Sequence, residues 1–286
     1  MRRVLLFRSS WALLVGALGA LAGCASTSPM LVEPRTAAPG DVRMQVGAAA
    51  LAPVGGDRSA LADARTALAT NPGKVPLPSA GGSTNPYDKA NAGTAVALGA
   101  RPGIAPVVRG VVGIRPDLEG TLRYGGRDVG AGVRYVFFET RTDTAGAATL
   151  SIGAEARALL MGRPDDGVLP GVAVDSLKGY GGTVPLIAAW QSDAGLVLAY
   201  AAAAVGIDRA TAVVTYTGFG DDKPRDTSVF RVYGAGTLGL GLGFRRIHVL
   251  AELGIQRDLV HATIDDRSSD VRLWSLTPAF AVSIRF

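Results

Sequence analysis

From Trp274 to Phe286 the chain alternates with a period of two. Trp274, Leu276, Phe280, Val282, Ile284 and Phe286 hold the even positions, broken only by Pro278, and Ser275, Thr277, Ala279, Ala281, Ser283 and Arg285 hold the odd ones. Successive side chains of an extended strand point to opposite faces, so this segment is a strand with one large apolar face and one small or polar face. The same pattern recurs along most of the chain. Val42, Met44, Val46 and Ala48 oppose Arg43, Gln45 and Gly47, and Val108, Gly110, Val112 and Ile114 oppose Arg109. Leu118, Gly120, Leu122 and Tyr124 oppose Glu119, Thr121 and Arg123; Val129 to Phe137 oppose Arg134; Leu150 to Ala158 oppose Ser151, Glu155 and Arg157. Val184, Leu186, Ala188 and Trp190 read as one outward set, continued past the Ser192-Asp193 turn by Leu196, Leu198 and Tyr200, where alanines blur the contrast. Val232 to Phe244 oppose Arg231, Tyr233 and Thr237, and Ile247 to Ile255 oppose His248, Glu252 and Gln256.

The pattern predicts an all-β, antiparallel up-and-down barrel of about ten strands, eight or twelve being the neighbouring even counts. Mean hydropathy is positive, yet beyond the N-terminal region the uncharged residues Ala194–Gly206 come nearest to an uninterrupted apolar run and are too few for a helical span of about 20 residues. Apolarity spread over short alternating segments is how a membrane barrel carries its lipid face. Short connections near 115–117, 139–147, 192–194 and 244–246 alternate with long ones near 51–105, 159–181, 208–227 and 258–270, the Gly125-Gly126-Arg127 turn excepted. The long 51–105 segment contains one readable helix, Ser59 to Thr70, capped by Ser59; a role as plug or lid for the barrel is one reading of it. The rest of that segment is a loop by composition. A soluble β-sandwich or cup is the competing fold, because alternation alone also describes a half-buried sheet.

The closing strand, with its terminal Phe286, resembles the C-terminal strand of bacterial outer-membrane β-barrels. The resemblance implies that Phe280, Val282, Ile284 and Phe286 form an insertion signal, and that Phe137, Trp190, Phe244 and Phe286 form the periplasmic aromatic girdle. At the other end Arg2 and Arg3 precede an apolar stretch, Trp11 to Leu21, closed by Leu21-Ala22-Gly23-Cys24. This is similar to a lipoprotein signal with its lipobox. It implies a signal peptide over 1–23, lipidation of Cys24, a flexible lipidated tether over 24–40, and a barrel over 41–286. Asp does not follow the cysteine, so the resemblance implies outer-membrane sorting, with the anchor in the periplasmic leaflet. The implied partners are outer-membrane lipids and the machineries for barrel insertion and lipoprotein sorting; a monomer is expected.

Composition and motifs bound the chemistry. Loss of Arg2, Arg3 and Arg8 with the signal leaves 26 basic against 24 acidic residues, a balance of +2, which gives no electrostatic case for a nucleic-acid partner. The single cysteine permits no internal disulfide. No cofactor motif and no metal-ligand spacing is present: Gly234 to Gly243 contains Gly-x-Gly but opens no helix. His248 lies on the polar face with Glu252, and His261 falls in a predicted outer loop near Asp265 and Asp266; both read as ordinary polar residues. Neither matches the outer-membrane phospholipases or the omptin proteases. The polar face collects Arg43, Arg109, Arg123, Arg134, Arg157, Arg231 and Arg285 against Glu119, Glu155 and Glu252, an excess of four cations that would favour small anions in an open lumen. Packed together, the same groups would be a polar core.

Three functions follow in order: a non-enzymatic barrel lipoprotein, structural or surface-presenting; a small porin-like channel with weak anion preference; and an outer-membrane lipid-acting enzyme.

Overall fold

The computed structural model describes residues 29–54, 57–70, 86–99, 101–126, 128–142, 146–159, 169–219, 223–244, 246–265 and 267–286. The ten strands are β1 (Val42–Val54), β2 (Gly103–Arg115), β3 (Leu118–Gly125), β4 (Asp128–Thr142), β5 (Gly146–Leu159), β6 (Ala173–Gln191), β7 (Val197–Thr215), β8 (Arg225–Phe244), β9 (Ile247–Ile264) and β10 (Arg267–Arg285). Each pairs antiparallel with its sequence neighbours, and β1 pairs with β10, so the sheet is a closed barrel without an edge. Two helices, α1 (Asp57–Thr70) and α2 (Pro86–Gly99), lie between β1 and β2.

The closing seam runs Arg43 opposite Arg285, Val46 opposite Val282 and Ala48 opposite Phe280. Gly47 sits opposite Ala281, and a Cβ there would stand 1.9 Å from the Phe280 carbonyl oxygen, so the seam needs a residue without a side chain. At the terminal rim, where β1 begins and β10 ends, Arg285 donates through Nε to Asp41 Oδ2 at 3.1 Å and the Phe286 amide donates to Val42 O at 2.9 Å. The Arg285 hydrogen bond holds the Asp41 carboxyl below the usual carboxylate range.

The wall is amphipathic in two opposite senses. In its lower part, toward the terminal rim, the large apolar residues point out: Leu238, Leu240, Leu242, Leu253, Phe280 and Phe286 are each more than half exposed. Along β8 this outward apolar set runs from Val232 to Phe244, about 30 Å of height for strands tilted by about 40°. Above it the sense inverts. In the far ends of β6 to β10 the inward residues are apolar, among them Leu177, Val214, Val229, Val260, Ile264 and Leu273, all buried, while Lys178, Arg209, Ser228, His261 and Asp270 point out. These upper walls close over α1 and α2, whose Leu61, Leu68, Val96 and Leu98 join the same dry cluster. Tyr87 of α2 packs against Tyr216 and Phe219 at ring distances of 5.5 and 6.3 Å, and burial pushes the Tyr216 phenol up.

That inversion explains several departures from the sequence reading. The segments 208–227 and 258–270, read as long loops, are largely strand: β9 runs to Ile264 and β10 begins at Arg267. Their apolar residues face inward, out of phase with the lower part of the same strand. Helix α2 was read as loop; its Tyr87, Ala90, Asn91, Gly93, Thr94, Ala95, Val96, Leu98 and Gly99 are all buried, and a helix buried all round has no polar stripe to reveal its period. Helix α1 begins two residues before Ser59, at Asp57. In β7 the expected phase is reversed: Leu198 and Tyr200 face inward, and Val197, Ala199 and Ala201 face out. Tyr200 can turn inward because Gly239 stands opposite, where a Cβ would lie 2.0 Å from the tyrosine ring.

The largest correction concerns the expected tether. Residues 29–37 run inside the barrel, with Leu31 fully buried and Val32 at 4% exposure, and 38–40 are exposed. Composition rich in Pro, Ser and Thr reads as linker, but here Met30, Leu31 and Val32 are the contact residues and the prolines keep the strap extended.

Candidate functional site

The lumen is built in three layers, counted from the terminal rim. In the first, Arg43 donates to Glu33 Oε2 at 3.2 Å and Glu119 Oε2 at 2.8 Å, and Arg134 meets Glu119 Oε1 at 2.7 Å. Glu119 also accepts the Ala37 amide at 3.2 Å, and Ser283 donates to Glu33. Glu33 and Ala37 come from the luminal strap, and Arg43, Glu119, Arg134 and Ser283 from the wall.

The second layer grips the strap by its backbone. Glu252 accepts the Met30 and Leu31 amides at 3.1 and 2.8 Å and the Tyr200 hydroxyl at 2.6 Å. Gln45 donates to Leu31 O at 2.9 Å, Thr149 to Pro34 O at 3.1 Å, and Arg109 to Met30 O. Leu31 and Val32 fill the space between Ala49, Val107, Ile187, Leu198 and Leu250. A carboxylate that receives three donors is satisfied without a cation, the condition for burying it.

The third layer is an ion network between strap and helices. Arg123 meets Asp128 at 2.8 Å and Glu155 at 2.9 Å. Arg157 forks onto Asp208 through Nε at 2.9 Å and Nη2 at 2.8 Å. Arg231 joins Asp208 at 3.3 Å and Asp258 at 2.7 Å, and Gln256 donates to Asp258 at 2.8 Å. Tyr233 accepts from Arg157 at 2.9 Å, and its ring lies 4.7 Å below the Arg231 guanidinium. Fork geometry on a buried carboxylate fixes both partners in direction as well as distance.

Of the residues singled out in the sequence, Arg43, Arg109, Glu119, Arg123, Arg134, Glu155, Arg157, Arg231, His248 and Glu252 lie on the inward face, and Arg285 caps the rim. His248 shares the inward face of β9 with Glu252, and its Nε2 lies 2.9 Å from Gly195 O. The sequence reading missed the strap's Glu33 and Arg35, and it missed Asp41, Arg101, Asp128, Asp208 and Asp258. With these the nine arginines 35, 43, 101, 109, 123, 134, 157, 231 and 285 face the eight acids 33, 41, 119, 128, 155, 208, 252 and 258, so the expected excess of four cations is corrected to one. Asp208 and Asp258 were lost to the segments read as loops; inward phase from Arg231 and Gln256 would have found them. His261 is likewise not in a loop but on the outward face of β9, its Nδ1 2.6 Å from Asp270 Oδ1 on β10. Among the described residues no group of three His, Cys, Asp or Glu can hold a metal ion. Cys24 lies outside the described residues.

Fold and lumen together define a class: a closed ten-stranded antiparallel barrel with an apolar outer belt and a filled polar interior. No protein-family model matches the chain, and no curated protein sequence matches it. Among solved structures it is similar to the outer membrane protease OmpT of Escherichia coli, with 6% identity over 87% of this chain and 97% of that one at a TM-score of 0.42. It is also similar to neisserial surface protein A, with 12% identity over 86% and 99% of the two chains at 0.31, and to the attachment invasion locus protein Ail of Yersinia pestis, with 11% identity over 87% and 99% at 0.27.

Proposed function

We propose that this chain is an integral barrel lipoprotein of a bacterial outer membrane, closed to solutes, whose lumen is a structural core and whose outer wall is its working surface. The observation that supports this best is the pairing of an apolar outer belt with a lumen occupied along its whole height by strap, ion network and helices. Backbone amides and carbonyls exposed to lipid cost several kcal/mol each, and an edgeless barrel exposes none. The terminal rim is then periplasmic, because closing strands of this class enter from that side. Lipidation at Cys24 is compatible with the strap: Cys24 stands five positions before Pro29, a reach of up to about 17 Å. Glu252, which grips the strap, lies five residues above the rim residue Ile247, about 13 Å of height along a tilted strand.

A porin-like role has lost its two supports, since the cation excess is nearly cancelled and the lumen is filled. The test is single-channel recording of the protein, freed of residues 1–23, in planar bilayers. A flat baseline with insertion verified by the slower gel migration of the boiled form is the expected result; discrete conductance steps would overturn the proposal.

A further inference from the structure

Where the two senses of the wall meet, its outer face carries a row of groups that the lumen does not use. Across β6 to β10 the register places Tyr180, Arg209, Phe230, His261 and Asp270 side by side, and the next row away from the belt places Thr211, Ser228, Thr263 and Ser268. All point outward. His261 and Asp270 are bonded at 2.6 Å through Nδ1, so the other ring nitrogen is directed away from β10 and toward β8. On β8, Ser228 is diagonal to His261 on one side and to Arg209 on the other. Such diagonal positions lie about 7–8 Å apart and are bridged by long or aromatic side chains. Ser228, His261, Arg209, Phe230, Tyr180 and Ile207 line one external cavity of about 390 Å³. Below it run Val232 and Leu259, the top of the apolar belt.

We propose that Ser228, His261 and Asp270 form an acyl-ester hydrolase site on the outer wall, open to the outer leaflet, whose substrate is the carboxylic ester of an anionic lipid. The inference rests on the membrane reading above, because the belt is what brings an acyl chain to the cavity. Asp270 fixes the imidazole through Nδ1 and leaves Nε2 as the base. Ser228 Oγ gives its proton to Nε2 and attacks the ester carbonyl carbon. The tetrahedral adduct collapses, the carbon–oxygen bond to the alcohol breaks, and the alcohol leaves with the proton from His261. Water, deprotonated by His261, then attacks the acyl–Ser228 ester, releasing a fatty acid and restoring the serine. Arg209, on the far side of Ser228, is the cation available to the oxyanion or to the lipid's own anionic headgroup. Phe230 and Tyr180 flank the path from the cavity to the belt. Ser228 and His261 are the catalytic residues, and Asp270 is a positioning residue.

The test uses the full mature chain in phosphatidylglycerol vesicles bearing a fluorogenic acyl ester, with a fluorophosphonate to label the nucleophile and peptide mapping to place the label. The expected result is label on Ser228, and ester release lowered by about a hundredfold or more in Ser228→Ala and His261→Ala, with Thr263→Ala unchanged. Asp270→Asn should lower kcat with KM unchanged, because the imidazole loses the partner that orients it, and Asp270→Glu should restore kcat. Neutral-lipid vesicles should release less ester than phosphatidylglycerol vesicles, and Arg209→Gln should erase that difference. All variants lie on the exposed face, and each must keep the heat-dependent gel shift of a folded barrel. A folded, vesicle-inserted wild type that neither takes the label on Ser228 nor releases ester would overturn the site while leaving the membrane reading intact; failure to insert would overturn that reading instead.

Discussion

Replacing Asp208 with Ala should destabilise the folded barrel by about 3–5 kcal/mol, the cost of stripping a buried ion network of one partner. Asp208 is 3% exposed and receives the fork of Arg157 and the Nη1 of Arg231, each itself 3% exposed at the side chain. Its removal takes away the carboxylate that Arg157 and Arg231 share and leaves both guanidinium groups buried with less counter-charge. The loss should appear as a lower urea midpoint for conversion of the fast-migrating to the slow-migrating gel form. Exchanging the cluster as a unit, with Arg157→Met, Arg231→Met and Asp258→Asn added to Asp208→Leu, should recover most of the loss, because no buried charge of the cluster is then left without its partner. Equal instability of the single and the quadruple variant would show that the network is not what holds the middle of the lumen.

Leu31→Asp should expel the luminal strap. The leucine is fully buried among Ala49, Val107, Leu198 and Leu250, a contribution of about 2–3 kcal/mol, and the new carboxylate would sit beside Glu252, which already binds the Leu31 amide. Trypsin cleavage after Arg35 reads the change directly, since that bond lies within the strap. A rise in cleavage rate of roughly a hundredfold over wild type is expected, with the gel shift retained because the wall's hydrogen bonds do not depend on the strap. Wild-type cleavage after Arg35 as fast as in an unfolded chain would mean that the strap does not occupy the lumen.

How far the sequence exposed this architecture depended on phase. The closing strand, β8 and β9 were legible because Leu238, Leu240, Leu242, Val249, Leu253, Phe280 and Val282 repeat at a spacing of two and all face out. The upper walls were not, because Val260, Ala262 and Ile264 continue the alternation on the opposite face, and an apolar-out template reads that inversion as loop. In β7, alanines on both faces left nothing to fix the phase, and the decisive information was on another strand, at Gly239 opposite Tyr200. The strap was illegible for a different reason. Its contacts with Glu252, Gln45 and Thr149 run through its backbone amides and carbonyls, which every sequence has. The inward arginines could be read individually, whereas their counter-charges Asp128, Asp208 and Asp258 follow only once the length of each strand is known. His261 showed as a lone polar residue because its partner Asp270 is brought to it by the β9–β10 register.

The account rests on the outer belt meeting lipid. Once residues 1–23 are removed, Trp190 and Trp274 are the chain's only tryptophans, and both point out of the wall at 38% and 45% exposure. Refolded protein in vesicles whose acyl chains are brominated near the glycerol end should therefore lose most of its tryptophan emission relative to vesicles of unbrominated lipid. Emission unchanged by the bromines, in protein that shows the folded gel form, would contradict a membrane-embedded barrel.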